Sequence, residues 1–404
     1  MTLYPEENSE RLTVAYDHPG LAGLSSIELR GFFGRYQLIT ERDTFPTSDA
    51  DGKIERSDVV GNDASLRLLA SRSFEGGLVR FGADLVSRFD LNATDSLQEY
   101  APDSDPVLVR EEETIESASR LDGGLFAEVE YSLADGRWSV FGGLRGDRVR
   151  TENSGGFFGD VTTTESAVSG HAAVRWHFST GWDASLQLAR GFRDPRLSDR
   201  YFAGTTGRGS IVGNPELGPE TSRQLDGAIR GQSGRWGFAT YGYLYRIRDL
   251  IERFEIADRL FSFQNRGEVE IAGWEVETTY TVSEAIAVQG GLGWARGRVL
   301  DDDSYPDGIP APNVFAAVRY RPLKNVWCQV GAAYHARDDR PGPTERTTPS
   351  YALFNASAGW RLVKPLELRV TLKNLTDESY PAGQDELAPL APGRSIAAVL
   401  AGSV

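Results

Sequence analysis

The chain has 404 residues, of which 40% are hydrophobic and 25% charged, with a net charge of −15, and no uninterrupted apolar run exceeds a handful of residues, as at Ile396 to Ala401. A membrane-spanning helix needs roughly 20 apolar residues, so a helical membrane protein is excluded, whereas a membrane barrel hides its apolar residues at every second position and is not. The acidic balance without a basic stripe argues against nucleic acid. One cysteine, Cys328, and four scattered histidines (His18, His171, His177 and His335) offer neither an internal disulfide nor metal-ligand spacing, so no metal or cofactor is expected.

In chain order, the first ten residues, Met1 to Glu10, are acidic and lack an apolar h-region, so no secretory signal peptide is read there. A first strand is expected near Arg11 to Tyr16. Period-two alternation then recurs along the chain. Val79, Phe81, Ala83 and Leu85 oppose Arg80, Asp84 and Arg88. Leu125, Ala127, Val129, Tyr131 and Leu133 oppose Glu128, Glu130 and Ser132. Trp274, Val276, Thr278, Tyr280 and Val282 oppose Glu275, Glu277, Thr279 and Thr281. Leu366, Leu368, Val370 and Leu372 oppose Glu367, Arg369, Thr371 and Lys373. Alternation alone fits a soluble sandwich equally well. The expected segments, however, run about 12 to 20 residues, beyond the usual ~5–6 of globular strands and the ~9–11 that cross a bilayer.

Connections come in two kinds that alternate along the chain. Short ones fall near Pro19-Gly20, Glu75-Gly76, Asp135-Gly136, Thr180-Gly181, Ser233-Gly234, Ser283-Glu284, Pro322-Leu323 and Val363-Lys364. Long ones fall near residues 41–53, 92–115, 151–164, 193–221, 249–264, 299–312, 337–350 and 376–392. Short periplasmic turns alternating with long outer loops are the habit of membrane barrels. Trp138, Trp182, Trp236 and Trp327 lie close to short turns, where an aromatic girdle places rings whose N–H seeks water or headgroups. The expected fold is therefore all-β, a transmembrane antiparallel barrel of about 17 strands.

Three stretches carry a resemblance. Arg190-Gly191-Phe192-Arg193-Asp194-Pro195-Arg196-Leu197 is followed by Gly213-Asn214-Pro215-Glu216-Leu217-Gly218-Pro219-Glu220. Phe263-Gln264-Asn265-Arg266-Gly267 precedes Gly273-Trp274-Glu275-Val276-Glu277. Lys373-Asn374-Leu375-Thr376-Asp377-Glu378-Ser379-Tyr380 precedes Pro392-Gly393-Arg394. In order and spacing these resemble the strand-to-loop boxes of the barrel of TonB-dependent outer-membrane receptors. The likeness is motif-based over residues 185–404 and only patterned over residues 10–184.

The resemblance implies an outer-membrane location and a barrel of about 22 strands around a plugged lumen. It implies uptake of a bulky nutrient, foremost a ferric siderophore, energised through the TonB complex if a plug and TonB box lie upstream. Residues 1–404 are read as one barrel domain, truncated at its N-terminus and lacking the plug. A plug-free passive channel, a non-functional fragment and, more remotely, a soluble sandwich are the alternatives. Lipid and lipopolysaccharide are the expected surroundings.

No nucleophile and base stand in register, so no catalytic residue is assigned; His171, His177 and Arg175 are read as lumen wall. A structural role is expected for Phe192, Arg193, Pro195, Asn214, Pro215, Leu217, Pro219, Glu220, Asn265, Gly273, Glu275, Asn374, Asp377, Tyr380, Pro392, Gly393 and Arg394, with Glu275 and Glu277 beside lumenal arginines. Candidates for an anionic ligand are Arg193, Arg196, Arg200, Arg208 and His335. The family's haem receptors typically carry a histidine between the first two boxes; Arg196 to Gly213 contains none. Asp301, Asp302, Asp303 and Asp307 are read as a solvated acidic loop or a divalent-bridged lipopolysaccharide contact rather than a calcium site.

Overall fold

A computed structural model describes residues 2–21, 23–47, 50–102, 104–133, 136–206, 209–386 and 388–402. Nearly everything in it is antiparallel strand. The first eight strands are β1 (Thr2–His18), β2 (Ser26–Thr44), β3 (Gly52–Phe74), β4 (Gly77–Tyr100), β5 (Val107–Leu133), β6 (Trp138–Asn153), β7 (Val161–Ser179) and β8 (Trp182–Arg193). A helix α1 (Leu197–Tyr201) and a small hairpin, β9 (Ala203–Thr206) with β10 (Gly209–Val212), interrupt the series. It resumes with β11 (Glu220–Ser233), β12 (Trp236–Ala257), β13 (Leu260–Thr281), β14 (Ile286–Val299), β15 (Asn313–Leu323), β16 (Val326–His335), β17 (Tyr351–Val363), β18 (Leu366–Lys373) and β19 (Ser395–Gly402).

Each long strand pairs with the next in sequence, β8 passing directly to β11. Setting aside the β9–β10 hairpin leaves 17 wall strands among the described residues, against the expected number of about 17. Among the described residues no pairing joins β19 to β1, so the sheet has two edges.

The turns that the sequence marks as short lie, among the described residues, at one end. Gly76 and Gly181 sit in them at φ 77 and φ 76, a conformation that tight hairpins require and side chains disfavour. At the other end the strands overshoot. The expected loops at 92–115 and 249–264 are mostly hairpin extension, since β4 and β5 run 24 and 27 residues and β12 turns into β13 across two residues. Polar sequence there does not prevent pairing, because the ladder is made by the backbone. The expected first strand at 11–16 likewise grows to Thr2–His18.

Two faces follow from the alternation. Leu125, Leu144, Val168 and Leu188 stand on one, at 70%, 70%, 56% and 59% exposure, an apolar surface far too extensive for water. Register places them together: Leu125 opposes Gly146, which opposes Val168. The other face is charged, and ion pairs cross it from strand to strand: Arg67–Asp84 (3.4 Å), Arg145–Asp84 (2.5 Å), Arg80–Glu128 (3.1 Å) and Arg88–Asp63 (2.7 Å). The apolar face meets lipid and the charged face lines the lumen.

Aromatic rings trace the inner membrane boundary on the lipid face. Trp138 stacks on Trp176 (5.3 Å), Trp176 meets Phe178 (5.4 Å), Phe178 meets Trp182 (6.4 Å) and Trp182 meets Trp236 (5.7 Å). Trp327 does not join them. Its ring lies under Arg319 at 4.4 Å and its Nε1 donates to Glu367 at 3.3 Å, on the lumenal face. Nearness to a turn told nothing of the face, which the irregular register between Tyr320 and Leu323 helps to set.

Candidate functional site

The outer ends of the strands carry two fixed loop assemblies and, between the wall strands, an aromatic platform. The first assembly grows from the end of β8. Register shifts at Arg88/Leu91 and nearby, with Asp90 at φ 52 and Ser117 at φ 47, re-aim the upper parts of β4 and β5. Leu91, Ala93, Ile115 and Ala118 thereby form a buried apolar cluster with Leu197 and Tyr201 of α1. Docking the helix carries Arg200 inside, where it is 1% exposed.

The Arg200 guanidinium donates to Asp194 (3.2 and 3.3 Å), to Thr151 Oγ1 (3.0 Å) and to the Leu217 carbonyl (2.8 Å). Arg120 reaches the same carboxylate at 3.1 Å. Burial pushes the Asp194 carboxyl above its ordinary range, with Arg200 and Arg120 pulling the other way. Arg193 forms a fork with Glu220 (2.8 and 2.9 Å), and Glu220 also accepts the Ile251 N–H at 3.0 Å.

Two of the sequence boxes dock on each other. Asn214 Nδ2 donates to the Phe263 carbonyl (3.0 Å) and its Oδ1 accepts the Glu216 N–H (3.0 Å). Asn265 Oδ1 accepts the Gly218 N–H (2.8 Å), and its Nδ2 donates to the carbonyls of Gly218 (3.0 Å) and Asp249 (2.8 Å). Pro195 and Leu217 are buried. Gly273 leaves room for the Tyr243 ring, which an added Cβ would meet at 2.1 Å. Glu275 faces the lumen opposite Tyr241 and Gly293. Among the described residues no arginine pairs with it or with Glu277, contrary to the expectation from sequence.

The second assembly joins three consecutive outer loops. Asp307 accepts the Thr344 N–H (3.1 Å) and hydroxyl (2.9 Å). Glu345 accepts the N–H groups of Gly308 (2.8 Å) and Gly342 (2.9 Å), while burial, with Asp307 and Asp338 nearby, raises its carboxyl above the ordinary range. Gln384 donates to the Ile309 carbonyl at 2.9 Å. At the root of the last loop, Asn374 (φ 52) exchanges hydrogen bonds with the backbone of Glu378 at 2.8 Å each way, and Asp377 accepts the Arg394 N–H at 2.7 Å. Gly393 lies so close that a Cβ would meet Asp377 Oδ1 at 2.6 Å. Asp302 pairs with Arg266 at 3.1 Å and Asp303 pairs with Arg298. Among the described residues no group of three His, Cys, Asp or Glu is placed to hold a metal ion.

Below this assembly three rings stack in a column on the lumenal side. His335 lies 4.6 Å from Tyr351, and Tyr351 lies 4.6 Å from Tyr380. Of the residues singled out for a ligand, the structure thus commits Arg193 and Arg200 to carboxylates, leaves Arg196 exposed and sets His335 in the ring column. Arg208 lies outside the described residues. A second lumenal feature was not singled out from the sequence. Phe126 lies between the guanidiniums of Arg67 (5.4 Å) and Arg145 (5.7 Å), on the wall of a 570 Å³ recess that also includes Glu128, His171 and Gln187. No motif marks it; register alone assembles it.

A lipid-facing strand wall with a charged lumen and long outer loops defines a large outer-membrane barrel. The chain belongs to the TonB dependent receptor-like β-barrel family, whose model matches residues 2–375. This is a family of outer-membrane receptors and transporters, not enzymes. Vitamin B12 transporter BtuB of Vibrio vulnificus (strain YJ016) is 23% identical over 242 residues, 55% of this chain and 37% of that protein. In structure the chain is similar to copper transporter OprC (TM-score 0.82, 17% identity, 98% of this chain and 65% of that one). It is also similar to the ferric citrate transporter FecA in its unliganded form (TM-score 0.72, 11% identity, 96% of this chain and 60% of that one). The chain therefore spans less than two thirds of each of these relatives, and the structural likenesses bear on the fold.

Proposed function

We propose that this barrel serves the TonB-energised uptake of a bulky anionic nutrient, a ferric siderophore being the chemistry that suits it best. The observation that carries the reading is the column of His335, Tyr351 and Tyr380 on the lumenal side of the rigid loops. Stacked rings offer flat apolar area to an aromatic chelate at low entropic cost, and exposed Arg196 adds a cation able to meet carboxylate or catecholate oxygens. Arg193 and Arg200 take no part in ligand contact here, being engaged as loop anchors. Deeper in the lumen, Phe126 with Arg67 and Arg145 provides a further aromatic and cationic station.

Related transporters handle ligands as different as vitamin B12, copper and ferric citrate by their names, so the test must be direct. Quenching of tryptophan emission by a ferric catecholate chelate is expected to report binding to protein extracted from outer membranes. Tyr351→Ala, which removes the middle ring that holds the column together, is expected to weaken it about tenfold. Equal binding by Tyr351→Ala and the parent would sink the reading.

A further inference from the structure

Two arginines stand side by side on the face that meets lipid. Arg190 on β8 opposes Arg223 on β11 directly in register. They share a face with Leu188 and Leu225, one step further along the same strands. Like charges directly opposite on a sheet repel, and a cation turned toward hydrocarbon is disfavoured. Neither arginine has a carboxylate partner among the described residues. Their neighbours on the same face do. Arg246, next in register beyond Arg223, pairs with Glu270 at 3.0 Å, and Arg248 pairs with Glu268 at 3.4 Å. One stretch of the outward surface is therefore self-neutralised and the adjoining stretch carries two uncompensated charges.

Below the pair the wall is hollowed. Gly142, Gly170 and Ala172 leave a groove of about 900 Å³ between taller apolar residues, with Arg190 and Arg223 at its lining. The height is decisive. Trp182 lies in the inner aromatic boundary on the same strand, and the rise from it to Arg190 is about 27 Å along the strand, or about 20 Å across a membrane at a ~40° tilt. That places the arginines near the outer boundary of the apolar band, at the level of outer-leaflet headgroups.

We infer that Arg190 and Arg223 bind a phosphate of a phosphorylated, multiply acylated glycolipid of the outer leaflet, with an acyl chain lying in the groove beneath. Phosphate answers both anomalies at once: it bridges two guanidiniums that otherwise repel, and its chains fill an apolar hollow. Inner-leaflet phospholipid is at the wrong depth. The site is separate from the lumen and independent of what the receptor transports.

The test uses protein extracted from outer membranes in detergent, titrated with fluorescent diphosphorylated lipid A. Heat-modifiable mobility on gels confirms that each variant is folded. The R190Q/R223Q double variant is expected to bind about tenfold more weakly, while R246Q, whose charge Glu270 already cancels, stays within about twofold. On the parent protein, lipid A stripped of its phosphates is expected to bind as weakly as the intact lipid does to the double variant. Vesicles of phosphatidylglycerol are expected not to compete. Undiminished binding by the folded double variant, indifference to the phosphates, or equal competition by phosphatidylglycerol would each overturn the assignment.

Discussion

Asp194 stands at the meeting point of Arg120 and Arg200, with a side chain that is fully buried. In the sequence it reads as a loop residue between two arginines of a strand-ending box. In the structure it is the counter-charge that lets Arg200 be buried at all. Removing one partner of a buried pair leaves an uncompensated charge, which costs about 3–5 kcal/mol. Asp194→Ala is therefore expected to free the 194–219 connection, seen as rapid proteolytic nicking there while the barrel keeps its heat-modifiable mobility. Unchanged protease resistance would show that the carboxylate is dispensable. Gly273 makes the complementary point about space: the motif glycine is where the Tyr243 ring crosses the neighbouring strand, so its lack of a side chain is a packing requirement.

At the scale of elements, the loops between β14 and β15, β16 and β17, and β18 and β19 act as one body through Asp307, Glu345 and Gln384. Glu345 gives that body a pH response. Its carboxyl is raised above the ordinary value of 4.5, so the folded loops bind a proton more tightly than the free chain. That contribution is present in full below the ordinary value and is lost as pH rises through the raised one. Amide exchange across residues 338–348 is accordingly expected to quicken, beyond the intrinsic rate, over the pH range that rises from the ordinary value of 4.5, and Glu345→Gln to flatten the change. A parent protein whose protection is flat over that range would contradict the account. The same scale shows where the sequence misleads. Polar stretches at 92–115 and 249–264 look like loops, yet β4, β5, β12 and β13 continue through them, because ladder bonds ask little of the side chains.

For the whole molecule the decisive feature is that, among the described residues, β1 and β19 remain edges. In hydrocarbon an unpaired edge leaves N–H and C=O groups without partners, at several kcal/mol each, so a stable membrane form needs those edges paired. Residues 2–402 reconstituted alone are expected to give no steady single-channel conductance in planar bilayers, only transient leaks. A uniform, long-lived channel would mean that the two edges can close on one another.

Much of the wall was legible from the residues alone. Alternation at Leu125 to Leu133 and Leu366 to Lys373 reflects the two-residue repeat of an extended chain, a local property that needs no partner to be visible. Turn glycines such as Gly76 announce themselves in the same way, and the boxes around Asn214, Asn265 and Asn374 stand out along the chain. What only the tertiary structure decided is which side chains are spent and which are free. Arg193, Arg196 and Arg200 look alike in the chain, but a fork to Glu220 ties the first, the docking of α1 buries the third, and the second stays in solvent. Trp327 and Trp182 each sit next to a short turn, yet one faces the lumen and the other lipid, according to register. The Arg190–Arg223 pair exists only because two strands, separated in sequence by a helix and a hairpin, are laid edge to edge. Periodicity is written along one strand; burial, charge pairing and facing direction are properties of neighbours that the chain must fold to meet.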